Sequence, residues 1–166
     1  MKSLYELYLE HTGKVSDKWK IYLTSYNDIL LPFKNKKISM LEIGIQNGGS
    51  IELWDKYFHN AECFIGCDIN EKCQILKYDN DKISIIIGDA NKENVRDIIL
   101  NKKNNFDIIL DDGSHTSSDI IKTFFNYFPY LKNDGIFIFE DLHCSYWKEF
   151  EGGYMIHLHQ YLFLKN

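Results

Sequence analysis

Seven acidic residues, Glu42, Asp68, Asp89, Asp111, Asp112, Glu140 and Asp141, stand in or just after short apolar runs. Four of them form adjacent pairs: Asp111-Asp112 in F-D-I-I-L-D-D-G-S-H (106–115) and Glu140-Asp141 in I-F-I-F-E-D (136–141). If those two runs are neighbouring strands, about 4.8 Å apart, their ends bring the carboxylates together. Two like charges ~4 Å apart repel by roughly 4 kcal/mol at an effective dielectric of 20. No lysine or arginine lies within 107–121 or 135–147 to compensate. Either some of these carboxyls stay protonated or a cation sits among them. Oxygen-only ligands point to magnesium, with manganese and calcium as alternatives. Adjacent strand residues face opposite ways, so this reasoning leaves open whether Asp111 or Asp112 meets the ion. His115, three positions past Asp112, is placed to take a proton, though a lone histidine is more often a cap or surface residue. His143 is a weaker rival, and His157 and His159 have no motif around them.

Such acids need elements that gather them. Ile38–Ile43 is an apolar run rich in β-branched residues, sufficient for one buried strand, and it ends in Gly44. Gly48-Gly49 then opens a helical pattern with Ile51, Trp54 and Phe58. A strand, a glycine turn and a helix start present backbone N–H groups where a nucleotide-like ligand docks. The spacing is E-x-G-x-x-x-G from Glu42 to Gly48, not the G-x-G-x-x-G of dinucleotide binders. A nicotinamide oxidoreductase is disfavoured accordingly. Asp68 ends the run C-F-I-G-C-D (63–68), at the ~20-residue offset from Gly48 where an acid meets ribose hydroxyls. Asp68 and Asp89 have helix-capping as their alternative role.

Three further strands are expected, in 82–90, 106–115 and 136–141, the last entered by a turn at Asn133-Asp134-Gly135. Asn70, Asn91 and Ser117 or Ser118 are candidate caps for the intervening helices. Two short tyrosine-rich helices precede the first strand; Ser3-x-x-Glu6 caps the first, which Gly13 ends, and Pro32 closes the second. They serve as a packing layer over the sheet or, alternatively, as a lid on the cofactor. Strands of continuous apolar character alternating with helices predict a Rossmann-like, mostly parallel α/β sheet with helices on both faces. The expected organisation is a single domain over 1–166: helices in 1–34, a cofactor-binding core in 38–141 and a short tail in 142–166.

Composition narrows the classes. The chain has 166 residues, 45% of them hydrophobic and 15% aromatic, which excludes a disordered or fibrous protein. Net charge is −5, and Arg96 is the sole arginine, so no nucleic-acid surface is expected. No run approaches the ~20 apolar residues of a membrane span. Glu6 and Glu10 interrupt any signal-peptide core. Cysteines 63, 67, 73 and 144 lack paired C-x-x-C spacing, which speaks against zinc. The expected compartment is the cytoplasm.

Taken in order, L-E-I-G-I-Q-N-G-G-S, G-C-D-I-N, G-D-A, D-D-G-S-H and E-D followed by S-Y-W resemble a family. It is the class I S-adenosylmethionine-dependent methyltransferases, in the branch of the metal-dependent sugar O-methyltransferases of the mycinamicin and macrocin type, with cephalosporin hydroxylase-like relatives. The resemblance covers roughly residues 11–153. It implies S-adenosylmethionine as cofactor, held by Glu42, Gly44, Gln46, Gly48, Gly49, Asp68, Asp89, Ala90 and Asp111. It implies Mg2+, or another divalent cation, on Asp112, Glu140 and Asp141, and so selects Asp112 over Asp111. It implies His115 as the base that deprotonates a hydroxyl of a sugar or glycosylated metabolite. S-D-K-W-K-I-Y (16–22) keeps Asp17, Lys18 and Tyr22 of a family pattern resembling T-D-K-x-x-H-x-Y but has no histidine. The family's helix and antiparallel strand pair after the fifth strand do not fit in what remains of the chain. The sheet is therefore expected to lack that pair and to leave its fifth strand an edge, which predicts a homo-oligomer. A truncated domain that is non-catalytic or needs a partner is the alternative.

Overall fold

Alternation along the central strand sets the layers. In β1 (Ser39–Ile43) all five residues are buried; Met40 packs into one apolar cluster, Leu41 and Ile43 into another. The computed structural model describes residues 2–152. Around β1 lie α1 (Leu4–Leu9), α2 (Lys20–Leu30), α3 (Gly49–Tyr57), β2 (Cys63–Asp68), β3 (Ile83–Ile87), α4 (Glu93–Lys102), β4 (Phe106–Asp111), α5 (Ser117–Tyr127) and β5 (Leu131–Phe139). Short 3-10 turns fill several of the links. The strands form one sheet in the order β3-β2-β1-β4-β5, and every pairing is parallel.

Each face of the sheet is covered. Leu4, Leu23, Tyr26, Leu30, Trp54 and Tyr57 of α1, α2 and α3 pack on the face that carries Met40, Phe64, Ile108 and Leu110. Val95, Ile99 and Tyr127 of α4 and α5 pack on the face that carries Leu41, Ile65, Ile86 and Ile109. Both faces are thus removed from water, which is why the strands read as continuous apolar runs.

The chain reverses its direction of travel across the sheet between β1 and β4, and ligands in such sheets bind beyond the strand ends at that reversal. Register carries one level across it: Ile43 lies beside Cys67 on one side and Asp111 on the other, and Asp111 beside Phe139. The hydrogen bonds continue one residue further, from Gly44 N to Cys67 O (2.8 Å), Asp112 N to Ile43 O (2.8 Å) and Glu140 N to Asp111 O (2.9 Å). Gly44, Asp112 and Glu140 therefore stand in a row.

Several local expectations need correction. β5 runs straight through Asn133-Asp134-Gly135 instead of starting after a turn. The pairing of Phe106 with Leu131 and of Ile108 with Ile136 absorbs those residues in a bulge. The first helix forms with its Ser3–Glu6 capping box but ends at Leu9, before Gly13. α4 begins at Glu93, and the Asn91 side chain instead bonds Thr123 Oγ1 (3.1 Å) and Asn126 Nδ2 (3.1 Å). Neither Ser117 nor Ser118 caps α5, whose cap position is Thr116. Asn70 caps a 3-10 turn, its Oδ1 accepting from Lys72 N (3.1 Å). Among the described residues β5 pairs only with β4, and no helix is long and apolar enough to cross a membrane. Residues 153–166, which hold His157 and His159 and most of the expected tail, lie outside the described residues.

Candidate active site

A cavity of ≈ 560 Å³ opens across the carboxyl ends of the strands. Its floor is the row just described, and the irregular segment 15–19 forms part of its wall. Gly44 turns with φ +84°, and a Cβ there would stand 2.1 Å from the Asp112 carbonyl oxygen, so the close approach of the loops after β1 and β4 requires glycine. Gln46, His115 and Asp141 adopt left-handed backbone angles (φ 47°, 57° and 52°), and all three line the cavity. Non-glycine residues in that region carry strain, which tends to gather at functional sites.

Of the expected cofactor residues, Gly44, Gln46, Asp68, Asp89, Ala90 and Asp111 line the cavity. Asp68 Oδ2 accepts from Ile45 N (3.0 Å) and Gln46 N (2.8 Å), and Oδ1 from Asn70 N (2.8 Å), so it clamps the glycine loop as well as facing the cavity. Asp89 Oδ1 accepts from Asn91 N (2.8 Å), a local turn bond. Asp111 is buried against α5, where Gly113 N (3.2 Å) and Thr123 bond its carboxyl. Burial pushes its pKa up to about 6, against those two hydrogen bonds.

Of the other expected cofactor residues, Glu42, Gly48 and Gly49 do not line the cavity. Glu42 is fully buried beneath α3, where its Oε2 accepts from Ser50 Oγ (2.9 Å) and Trp54 Nε1 (3.1 Å). Burial pushes its pKa up to about 7, opposed by Lys18 and Ser50. Gly48 turns away, its carbonyl accepting from Tyr78 OH (3.0 Å). Gly49 lies against the chain at Lys14 and Val15, whose carbonyl oxygens a Cβ would meet at 2.3 Å.

The second group of acids resolves into two sets. Asp112, His115 and Asp141 converge, with His115 Nε2 3.8 Å from Asp112 Oδ1 and 3.9 Å from Asp141 Oδ2. One donor atom from each lies within 4.8 Å of the others. This arrangement answers which neighbour faces His115 and Asp141: Asp112 does, while Asp111 turns to Thr123. Tyr22 OH donates to Asp141 Oδ1 (2.6 Å). Glu140 is the departure. It is buried but also lines the cavity, and its carboxylate bonds Lys18 and Tyr26.

Lys18 is the residue that the reading of the acids missed. Its ammonium donates to Asp112 Oδ2 (2.6 Å) and Glu140 Oε1, and lies 3.5 Å from Glu42 Oε1. Compensation comes from 94 positions before Asp112, beyond any local window. Burial alone would lower the Lys18 pKa; Glu42, Glu140 and Asp112 outweigh it and hold it well above the usual lysine value. The signal was present in S-D-K-W-K-I-Y, which retains Lys18 and Tyr22 together.

No protein-family model matches the chain. It is similar to a Streptomyces olivaceus 8-demethyl-8-alpha-L-rhamnosyl tetracenomycin-C 2'-O-methyltransferase, 32% identical over 149 residues, covering 84% of this chain and 38% of that one. It is also similar to a Micromonospora griseorubida mycinamicin VI 2''-O-methyltransferase, 32% identical, covering 72% of this chain and 31% of that one. Among solved structures, the MycE methyltransferase of the mycinamycin pathway, in complex with Mg, SAH and mycinamycin VI, superposes with a TM-score of 0.81. That match is 27% identical and covers 97% of this chain and 47% of the other. The chain thus spans less than half the length of each of these relatives.

Proposed function

Because the chain belongs to the class I S-adenosylmethionine-dependent methyltransferases, with sugar O-methyltransferases as its relatives, we propose that it binds S-adenosylmethionine and a divalent cation and methylates a hydroxyl of a sugar or glycosylated metabolite. The observation that carries this is the convergence of Asp112, His115 and Asp141 on the wall of a cavity at the strand reversal. The donor set fits a hard cation, which Asp112 and Asp141 would hold through their carboxylates. The cavity fits a nucleoside-sized ligand, with Gly44, Ile45 and Gln46 of the glycine loop on one side and Asp68 and Asp89 on the other.

When bound, the cofactor supplies a methyl group on a sulfonium, and the cation lowers the pKa of a hydroxyl beside it. The chain's own residues do the rest. Asp112 and Asp141 would hold the cation, and Tyr22 fixes the Asp141 carboxylate by its 2.6 Å hydrogen bond. His115 Nε2 would take the hydroxyl proton as the oxygen–methyl bond forms and the sulfur–methyl bond breaks. Positioning carries most of such an in-line displacement. The segment from Val15 to Trp19 walls off part of the cavity.

Calorimetric titration with S-adenosylmethionine, S-adenosylhomocysteine and NAD+ tests the reading. Saturable binding of the first two and none of the third is expected; the reverse pattern refutes it. Methyl transfer from labelled donor to a panel of rhamnosides and related glycosides, abolished by EDTA and restored by Mg2+, is the second stage. Donor binding without transfer to any acceptor in the panel favours the non-catalytic or partner-dependent alternative.

A further inference from the structure

Between Gly13 and α2 the chain is irregular, and burial alternates along it. Val15, Asp17 and Trp19 are exposed, whereas Ser16 is half-buried and Lys18 buried. Side chains that alternate in this way leave an extended segment on opposite sides. The inward side ends on the Lys18 ammonium, which Asp112 and Glu140 hold. The outward side is Val15, Asp17 and Trp19, and all three line the cavity. Trp19 is 66% exposed, so most of its indole is bare. The Tyr22 ring lies nearly parallel to it, with centroids 6.3 Å and planes 20° apart. Tyr22 in turn donates to Asp141 Oδ1 (2.6 Å). The indole is thereby fixed relative to a carboxylate that would hold the cation, and so relative to the hydroxyl beside that cation.

We propose that Trp19 and Asp17 form an acceptor subsite, the indole as a platform for the C–H face of a pyranoside and the carboxylate as acceptor for hydroxyls on the ring edge. This rests on the methyl-transfer reading above. The face of an aromatic ring is negative, which suits the slightly positive C–H bonds of a sugar ring. A carboxylate beside it takes charge-assisted hydrogen bonds from neighbouring hydroxyls. Adenine is the other flat-faced partner an indole could take, and the sheet order separates the two. Asp68 and Asp89 follow β2 and β3 on one side of β1, whereas Trp19 is tied through Tyr22 to Asp141, beyond β5 on the other side. The platform therefore stands on the side of the reacting hydroxyl, away from the acids expected to meet the nucleoside.

The probes are the methyl α-glycosides of L-rhamnose, L-fucose and D-glucose, which carry no large aglycone for other surfaces to grip. They are added to the full chain saturated with S-adenosylhomocysteine and Mg2+. Binding is read by saturation-transfer NMR and by protection of tryptophan fluorescence from acrylamide in the Trp147→Phe background. In that background Trp54 is 1% exposed, which leaves Trp19 as the indole that the quencher reaches. At least one glycoside is expected to bind, to receive saturation at its ring C–H protons and to protect Trp19. Trp19→Leu keeps apolar cover but has no ring face, and is expected to bind that glycoside about tenfold more weakly. Trp19→Tyr is expected to stay within about threefold of wild type, and Asp17→Ala to lose about tenfold. All three variants are expected to keep S-adenosylhomocysteine affinity within about threefold, which also reports that they fold. A residue that only shapes the strap would not separate tyrosine from leucine. Unchanged glycoside affinity in Trp19→Leu or Asp17→Ala overturns the proposal. So does a loss of S-adenosylhomocysteine affinity in Trp19→Leu, which would make the indole an adenine platform. If wild type binds S-adenosylhomocysteine but none of the glycosides, the subsite fails and the cofactor reading stands. If it binds neither, the methyl-transfer reading fails and takes the subsite with it.

Discussion

At the scale of single residues, the candidate chemistry reduces to one histidine and two carboxylates. His115 stands 3.8 Å from Asp112 and 3.9 Å from Asp141, held by a left-handed backbone (φ 57°) on the loop after β4. If it is the base, His115→Ala lowers kcat by about 10²–10⁴-fold and leaves donor affinity within about threefold. Steady-state kinetics with a donor titration would check this, and an unchanged kcat would reassign His115 to shaping the loop. The local pattern D-D-G-S-H drew attention to the acidic pair and His115, and the resemblance chose Asp112 over Asp111. The partner of Glu140 was not legible, because Lys18 lies 122 positions away in sequence. The compensating charge lies in the segment before α2, outside each strand's own neighbourhood.

At the scale of elements, the glycine loop and the acid after β2 act together. Asp68 was read for its offset from Gly48, with ribose contact or helix capping as its roles. It does face the cavity, but its hydrogen bonds go to Ile45 N, Gln46 N and Asn70 N. Asp68→Ala frees the first two N–H groups and slackens the loop, and it also removes the acid from the cavity wall. We expect about tenfold weaker binding of S-adenosylhomocysteine, on the scale of one charged hydrogen bond. Undiminished affinity by calorimetry would leave Asp68 no part in the cofactor site. Strand positions were legible because buried parallel strands are apolar throughout. The bulge at Asn133-Asp134-Gly135 was not, since residues that favour a turn also suit a bulge, and the choice depends on pairing with β4. The surroundings of Glu42 were hidden for a similar reason. Its place before Gly44 suggested a ligand contact, while Trp54 and Ser50, which bind it from α3, are visible only once the helix packs.

At the scale of the whole molecule, two features set its behaviour: a cavity at the strand reversal and, among the described residues, a fifth strand paired on one side only. Strand edges invite pairing with another chain, and two-fold dimers are the commonest outcome. Self-association is therefore expected as a concentration-dependent sedimentation coefficient; a monomer over a hundredfold range of concentration would contradict it. A parallel sheet with helices on both faces followed from strands alternating with helices, whereas the part of the fold that shapes an acceptor pocket has no comparable signature. The central claim concerns the cavity itself, that it takes the methyl donor's product and a divalent cation side by side. It is tested most directly by crystals grown with S-adenosylhomocysteine and Mn2+, using the anomalous scattering of the metal. The account predicts one strong anomalous peak between the Asp112 and Asp141 carboxylates at about 2.2 Å from the nearest oxygens, next to a cofactor running along the glycine loop past Asp68 and Asp89. A peak elsewhere, or a cofactor-bound cavity with none at saturating Mn2+, would contradict it.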